Sequence, residues 1–600
     1  GLIRFFRKKP DHPSYTLTTY TGRTLIATAD HPIYTPGGMR KVQDIVLEDK
    51  VALFPFQGVP FEEPSSEILV SVESFSTFLT LQGKGERGNA FRQILDQLVK
   101  RNLLPLRWDS PALPYIFKLM GFVMGDGTLT RFKDGSLALG FYGKKQDLED
   151  IRKDIEAVGF SAIQVHSRER RHHIRTHYSE YRFSTAENMT RCNSSALALL
   201  FAALGCPIGN KADQEYRVPG AVKDAPLWQK RLFLSAFLGA EMSAPKAIRR
   251  SNFYCPMISA SKRLDIVENA GRFLEDLGRL LGEFGVWTQA VSRVHDDYVG
   301  AQGRRSARYR LLLSSRPESL LALYEKVGFS YNRDKTALGL AAAQYLRAKS
   351  RVSERRQEAA DESLRIHRET GLGAKSIHKI LGGPADIALR FIQRSIHEGR
   401  KSPVRVWDDF PSFEEFLKEA TAGLGTGAIW DFITSKTRAR APAWVYDFTV
   451  DHPAHNFVAD GFVVSNCGVR LLRSDLEAGS VRSKTGPLMD RLYHCVPSGV
   501  GKSGRIRLGK EELRQVLRKG ARWAVENGHG EAEDISACED GGRLEGADPE
   551  EVSERALDRG RDQLGTLGSG NHFLELQEVE EVFEPGTAAV FGLFKGQLVV

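Results

Sequence analysis

Six hundred residues exceed what one domain of about 100–200 residues holds, so several domains are expected. The 84 Lys and Arg against 75 Asp and Glu leave a net charge of +9, a mild excess that suits nucleic-acid partners without requiring them. Six scattered cysteines (Cys192, Cys206, Cys255, Cys467, Cys495 and Cys538) exclude a disulfide scaffold, and the longest apolar run, Ala196 to Gly205, falls far short of the roughly 20 residues of a membrane span, so a cytoplasmic location and no membrane partner are expected.

Near the start, Thr24-Leu25-Ile26-Ala27-Thr28 reads as an apolar strand running into Ala29-Asp30-His31-Pro32, with Thr28 and His31 in a Thr-x-x-His spacing. An imidazole titrating near neutrality can protonate the nitrogen of a distorted amide. Alone, the turn reads equally well as a strand end with a surface histidine. Taken with the block at 445–467 below, it resembles the second splicing block of inteins, where Thr and His polarise the peptide at the upstream junction. The chain opens Gly1-Leu2-Ile3-Arg4, with no Cys- or Ser-led first block, so the first nucleophile is expected upstream of Gly1.

Next come two related apolar helices, Leu119-Met120-Gly121-Phe122-Val123-Met124-Gly125-Asp126-Gly127 and Leu234-Ser235-Ala236-Phe237-Leu238-Gly239-Ala240-Glu241-Met242. Small residues four apart (Gly121 and Gly125; Ala236 and Ala240) allow two helix backbones to pack closely. Each helix then ends in an acid, where the macrodipole disfavours a carboxylate by about 0.3–1 kcal/mol. A divalent cation shared between Asp126 and Glu241 reverses that penalty and makes a Mg²⁺ site for attack on phosphodiesters. Either helix alone reads as plain core; the pair resembles the two-motif LAGLIDADG homing endonucleases. That resemblance implies Lys211 and Lys335 as site lysines and a double-stranded DNA target. Segments Val158-Gly159-Phe160 and Phe284-Gly285-Val286-Trp287 occupy comparable places after each motif, as a duplication requires. The second motif departs from the pattern in carrying Met242 after its acid.

Between the motifs, Ser167 to Arg175 is a basic stretch that reads as a DNA-facing strand or as a solvated hairpin. Leu364 to Gly382 reads as helix, Gly-bearing turn, helix, and Phe391 to Ile396 extends a third helix. This is compatible with a helix-turn-helix DNA reader and with a small packing subdomain.

Toward the end, Val445-Tyr446-Asp447-Phe448-Thr449-Val450 and His455-Asn456-Phe457-Val458-Ala459-Asp460-Gly461-Phe462-Val463-Val464-Ser465-Asn466 precede Cys467. This ordered string resembles the C-terminal splicing blocks of inteins. The resemblance makes Asn466 the residue that cyclises, Cys467 the acceptor thiol, and Asp447 and His455 the groups that assist. Ser465 stands where most inteins have the His that assists succinimide formation, so cyclisation is expected to be slower or to rely on His455.

After the junction, Leu564-Gly565-Thr566-Leu567-Gly568-Ser569-Gly570-Asn571-His572-Phe573-Leu574-Glu575 is a Gly-rich loop entering a strand, suited to close backbone approach to phosphates. Alone, such a loop is usually only a turn. The whole run, with Cys467-Gly468-Val469-Arg470, Pro497-Ser498-Gly499-Val500-Gly501 and the stretch around Glu539-Asp540, resembles RtcB-type RNA ligases. The resemblance implies a reaction needing GTP and Mn²⁺ that joins RNA 3′-phosphate and 5′-hydroxyl ends such as tRNA halves. It implies Cys467 and His572 as Mn²⁺ ligands and Asn571 and Glu575 as contacts to the guanine nucleotide. The guanylylated His and two further metal histidines are expected beyond Val600, and a metal-binding Asp upstream of this chain. Gly501-Lys502-Ser503 imitates a P-loop, but Val496 occupies the required glycine position.

The expected architecture is therefore multidomain: an all-β Hint (intein) splicing fold split by an α/β LAGLIDADG endonuclease, then part of an α+β RtcB ligase. The expected segments are 1–65 and 425–466 for splicing, 66–350 for the endonuclease, 351–424 for the helix-turn-helix segment and linker, and 467–600 for the ligase. The competing reading is a degenerate element that neither splices efficiently nor cuts DNA, with Ser465 and Met242 as its scars.

Overall fold

The computed structural model describes every residue except 1, 11, 86–87, 176–179, 300–304, 383–386, 399–403, 426, 441, 451–455, 466–470, 499–503, 505, 537, 545 and 569–573. It divides into two compact units, Gly1–Asn466 and Cys467–Val600, so the division falls on the Asn-Cys pair singled out in the sequence.

The first unit begins with six short strands: β1 (Leu2–Lys8), β2 (Ser14–Thr19), β3 (Thr24–Thr28), β4 (Pro32–Thr35), β5 (Gly38–Lys41) and β6 (Lys50–Leu53). In β3 the burial alternates, Leu25 and Ala27 inward and Thr24 and Ile26 outward, as a half-buried strand requires.

The chain then enters a duplicated α/β body. Helix α1 (Leu113–Met124) is followed by β7 (Thr128–Arg131), β8 (Leu137–Gly143), α2 (Lys145–Ala157), β9 (His166–Arg175), β10 (Glu180–Cys192) and α3 (Ser195–Ala203). The second copy runs α4 (Leu227–Glu241), β11 (Met257–Arg263), α5 (Glu268–Glu283), β12 (Thr288–Val299) and β13 (Arg305–Leu313). Strand orders match between copies, β9-β10-β8 in one sheet and β12-β13-β11 in the other. The segments at 158–160 and 284–286 also correspond: α2 and α5 each end one residue before a C-cap followed by a left-handed glycine, Gly159 (φ +92) and Gly285 (φ +83). Helix α1 is buried nearly throughout and α4 is buried from Phe233 to Gly239, which accounts for the apolar character of both motifs.

The body ends in one long helix, α6 (Arg333–Thr370), closed by Gly371 at φ +69. The boundary expected at 350/351 falls inside it, because no proline or glycine interrupts Leu340 to Thr370. After the turn Gly371-Leu372-Gly373 come α7 (Ala374–Ile380) and α8 (Leu389–Gln393). Helix, glycine turn and helix are all present where the sequence placed them, and the group has its own core of Ala360, Ile366, Ile377, Phe391 and Ile392.

The chain returns to the β body with β14 (Ile429–Arg438), β15 (Val445–Val450), β16 (Asn456–Ala459) and β17 (Phe462–Ser465). These interleave with the first six: the sheet runs β3-β2-β14-β6-β17-β4-β5, with β16 folded onto β17 and β1 paired with β15. Leu17, Ile33, Val51, Leu53, Ile433, Phe462 and Val464 form one core from both ends of the unit. Residues 54–428 are thus an insertion in an all-β fold that neither end builds alone.

The second unit contains β18 (Arg473–Glu477), α9 (Thr485–Cys495), α10 (Lys510–Lys519), α11 (Ala521–Glu526), α12 (Glu554–Gly560) and β19 (Gln597–Val599), the middle strand of a three-stranded sheet. Leu508, Leu513, Trp523 and Leu557 form its core. Among the described residues no helix is long and apolar enough to cross a membrane.

Candidate functional site

Helices α1 and α4 approach so closely that glycine is obligatory on one of them. A Cβ on Gly121 would collide with the backbone carbonyl of Phe233, and one on Gly125 would lie 2.7 Å from the Ala240 Cβ. Gly125 therefore meets Ala240 as the spacing predicts. Gly121 meets the Phe233 backbone rather than Ala236, because the helices contact along backbone rather than side chains at that level. One residue past this contact, Asp126 and Glu241 emerge together.

Two lysines close the helix ends. Lys211 Nζ donates to the carbonyls of Val123 (3.1 Å), Met124 (3.2 Å) and Gly125 at the end of α1. Lys335 Nζ donates to Gly239 (2.8 Å) and Ala240 (3.3 Å) at the end of α4. Carbonyls left over at a helix C-terminus carry partial negative charge, and each ammonium neutralises one set. The four groups form one electrostatic cluster. Both carboxyls are exposed, yet the surrounding protein still desolvates them: burial pushes Asp126 up against the pull of Lys211 and Lys335. Burial and then the Asp126 charge push Glu241 up as well. Burial lowers both lysines, while the two acids resist that shift.

The chemistry of this set fits a hydrated divalent cation. Two like-charged carboxyls, each held above its ordinary range, are relieved by a shared positive ion. Both remain open to solvent, which Mg²⁺ favours because it keeps several of its waters. Among the described residues no group of three or more His, Cys, Asp or Glu stands as an all-protein cage. The basic stretch from Ser167 to Arg175 lies on β9, paired over its length with β10, and Arg168 binds Glu187 across the pair at 2.7 Å. In the second copy Arg293, Arg308 and Arg310 lie on the matching hairpin of β12 and β13.

In the β body, Thr28 ends β3 and His31 directly precedes β4, the His31 amide donating to the Thr28 carbonyl at 3.1 Å. Asp447 lies on β15 opposite Phe6. Burial lowers the His31 imidazole, and the neighbouring Asp447 and Asp30 charges oppose that shift. Strand register brings the end of β17 to the same sheet: Val464 pairs with Ile33, and Ser465 pairs with Asn456. His455, Asn466 and Cys467 lie outside the described residues. In the second unit, Leu567 donates to the Pro497 carbonyl at 2.9 Å, and Ser498 bridges to Gly568, joining two of the signature runs. Glu575 is exposed and accepts from Gln577 at 2.7 Å. Asn571 and His572 also lie outside the described residues.

Sequence reasoning missed three supporting groups. Asn332 caps α6 through the Lys335 amide (3.1 Å) and donates to the Gly239 carbonyl (3.0 Å). Its place three residues before Lys335 was the available signal. The buried Asp431 accepts from Thr21 N (3.1 Å), Thr21 Oγ1 (2.6 Å) and Gln344 Nε2 (3.1 Å), tying α6 to the β body. Arg23 and Arg347 meet on Glu325 in the same joint. These contacts span many residues, and no local pattern announces them.

Comparison with known proteins gives the following. The family model of tRNA-splicing ligase RtcB matches residues 442–600. A curated tRNA-splicing ligase RtcB from Pyrococcus furiosus is 39% identical over 594 residues, 98% of this chain and 58% of that protein. This chain thus spans under three fifths of that relative's length. A tRNA-splicing ligase RtcB from Archaeoglobus fulgidus is 56% identical over 135 residues, 22% of this chain and 28% of that protein. The DNA-directed RNA polymerase subunit Rpo1N of Methanocaldococcus jannaschii is 25% identical over 454 residues, 76% of this chain and 30% of that protein.

Proposed function

Taking as premise that residues 442–600 belong to the RtcB family, we propose that this chain is part of an RNA-ligase precursor interrupted by a self-excising, DNA-cutting element. The observation that carries the reading is the interleaving of β1–β6 with β14–β17, in a unit that ends at Asn466. An element that must leave its host needs both its ends in one fold beside the bonds to be broken. Two comparisons support it: one RtcB relative matches only a stretch the length of the second unit, and a polymerase subunit of unrelated name matches 76% of this chain.

At the downstream junction, the Asn466 side-chain nitrogen attacks its own carbonyl carbon. A succinimide forms, the bond to Cys467 breaks, and Cys467 departs with a free α-amine. His31, just before β4, neighbours Asp447 on β15, and β4 pairs with β17; these two groups would move a proton at this junction or the upstream one. The released segment is a fragment of a ligase for RNA 3′-phosphate and 5′-hydroxyl ends; Cys467 and His572 would hold Mn²⁺, and Asn571 and Glu575 would contact GTP.

In the inserted body, Asp126 and Glu241 would hold Mg²⁺ against a DNA phosphodiester. The ion supplies Lewis-acid polarisation and an activated water. Lys211 and Lys335 cancel the helix-end carbonyls that would repel a phosphate and set positive charge where negative charge grows in the transition state. The β9–β10 and β12–β13 hairpins offer basic strands to a duplex. The test is incubation of the purified chain and Mg²⁺ with a plasmid carrying the uninterrupted ligase gene. Linear product, lost in Asp126→Ala, is expected; no cutting by the unaltered chain removes the endonuclease from this reading.

A further inference from the structure

Lys262 sits on β11 with only 1% of its surface exposed. A lysine this buried ordinarily pairs with a carboxylate. Here the ammonium instead donates to the carbonyl of Lys211 at 3.0 Å and to that of Gln214, under the Tyr216 ring at 3.7 Å from its centroid. Burial lowers its pKa to about 8, the cost of placing a cation where an apolar side chain would pack. What it secures is the backbone of the turn from which Lys211 reaches α1. That turn belongs to the first copy of the duplicated body, and Lys262 to the second.

The strap is reciprocal. Tyr216 donates its amide to Asn269 on α5 (3.1 Å), and Lys223 binds Asp276 on the same helix at 2.7 Å, so the Lys211 turn is held by the second copy. The turn before Lys335 is held by the first copy. The Arg333 amide donates to Asp147 (3.0 Å), its guanidinium grips Asp150 (2.8 Å), and the Tyr331 hydroxyl donates to Asp154 (2.5 Å), all on α2.

We propose that Lys262 is a positioning residue that fixes Lys211, and that each site lysine is set by the copy opposite its own. The proposal rests on the DNA-cutting reading above. With two lysines, two acids and two DNA strands, loss of one strap slows one strand. A displacement of about 1 Å at a reacting centre costs up to about 100-fold.

The experiment uses the full chain, Mg²⁺ and a supercoiled plasmid carrying the uninterrupted ligase gene, each strand labelled separately. Lys262→Met is expected to accumulate nicked circle, one strand slowed about 10- to 100-fold, and that strand is the one slowed by Lys211→Met. Lys262→Arg restores cutting of that strand at least in part, and Arg333→Met slows the opposite strand, the one slowed by Lys335→Met. Equal slowing of both strands in Lys262→Met, or slowing of the strand opposite to that of Lys211→Met, overturns the proposal. If Lys262→Met does not fold, Arg333→Met decides: absence of bias toward the Lys335→Met strand overturns it. An unaltered chain that leaves the plasmid supercoiled overturns the cutting reading and this proposal together, whereas unbiased variants of an active chain overturn the proposal alone.

Discussion

Gly121→Ala tests whether the two carboxylates owe their proximity to the α1–α4 contact. The added methyl would meet the Phe233 carbonyl, a backbone group that cannot rotate away. Overpacking of this kind costs about 1–3 kcal/mol. Exchanging Gly for Ala inside a helix returns about 1 kcal/mol of propensity. Because the clash is with backbone, the upper end applies, and a net loss of about 2 kcal/mol is expected. Gly282→Ala is the control: it is the same chemical change in helix α5, at an exposed position where a Cβ meets nothing within 4 Å. That variant should be as stable as the parent or up to about 1 kcal/mol more so. Urea unfolding of the two variants and the parent gives the comparison, and Mg²⁺-dependent DNA cutting should fall only in Gly121→Ala. A Gly121→Ala protein as stable as Gly282→Ala would refute the close contact, and with it the argument for how Asp126 and Glu241 are brought together.

Three further outcomes follow from the site geometry. Asp126 and Glu241 both titrate above their ordinary range, so the folded state binds their protons more tightly than the unfolded chain; the destabilisation is absent below about pH 4 and complete above the raised values. Asp126→Asn should therefore raise the melting temperature without metal at pH 7 but not at pH 3.5, and an equal effect at both would contradict the raised carboxyl. His31 is lowered by burial, so its contribution to stability is present above about pH 6.5 and lost as pH falls; Asp447→Asn should lower the His31 pKa further in an NMR titration, and a rise would contradict their proximity. Asp431→Leu leaves the Thr21 amide and hydroxyl without their acceptor in a buried joint, Gln344 keeping only its bond to the Thr21 hydroxyl, and should cost about 2–5 kcal/mol in urea unfolding, whereas a neutral variant would mean that α6 is not anchored there.

The sequence made legible what local chemistry encodes. Thr28 and His31 mark a strand end, and Asp126 just past α1 and Glu241 at the end of α4 follow two apolar helices whose small residues announce a close contact. The left-handed glycines Gly159 and Gly285 repeat at matching places because each follows a helix C-cap in a duplicated fold. Tertiary partners were not legible. Lys262 carries no local signal, and only the fold places backbone carbonyls and Tyr216 around it. The run of α6 through residue 350 was missed because its exposed turns are polar, which resembles the start of a new segment although nothing breaks the helix. Gln344 and Asp431 lie on elements that meet only after the chain has returned to the β body, so neither has a sequence signal.

The most direct test of the central claim is the intact mass and N-terminal sequence of the products formed when the full chain is held in buffer. Cleavage between Asn466 and Cys467 is predicted, giving a fragment that begins Cys467-Gly468-Val469-Arg470 and is absent from Asn466→Ala. A chain that stays intact, or that yields the same fragment with Asn466→Ala, would contradict it.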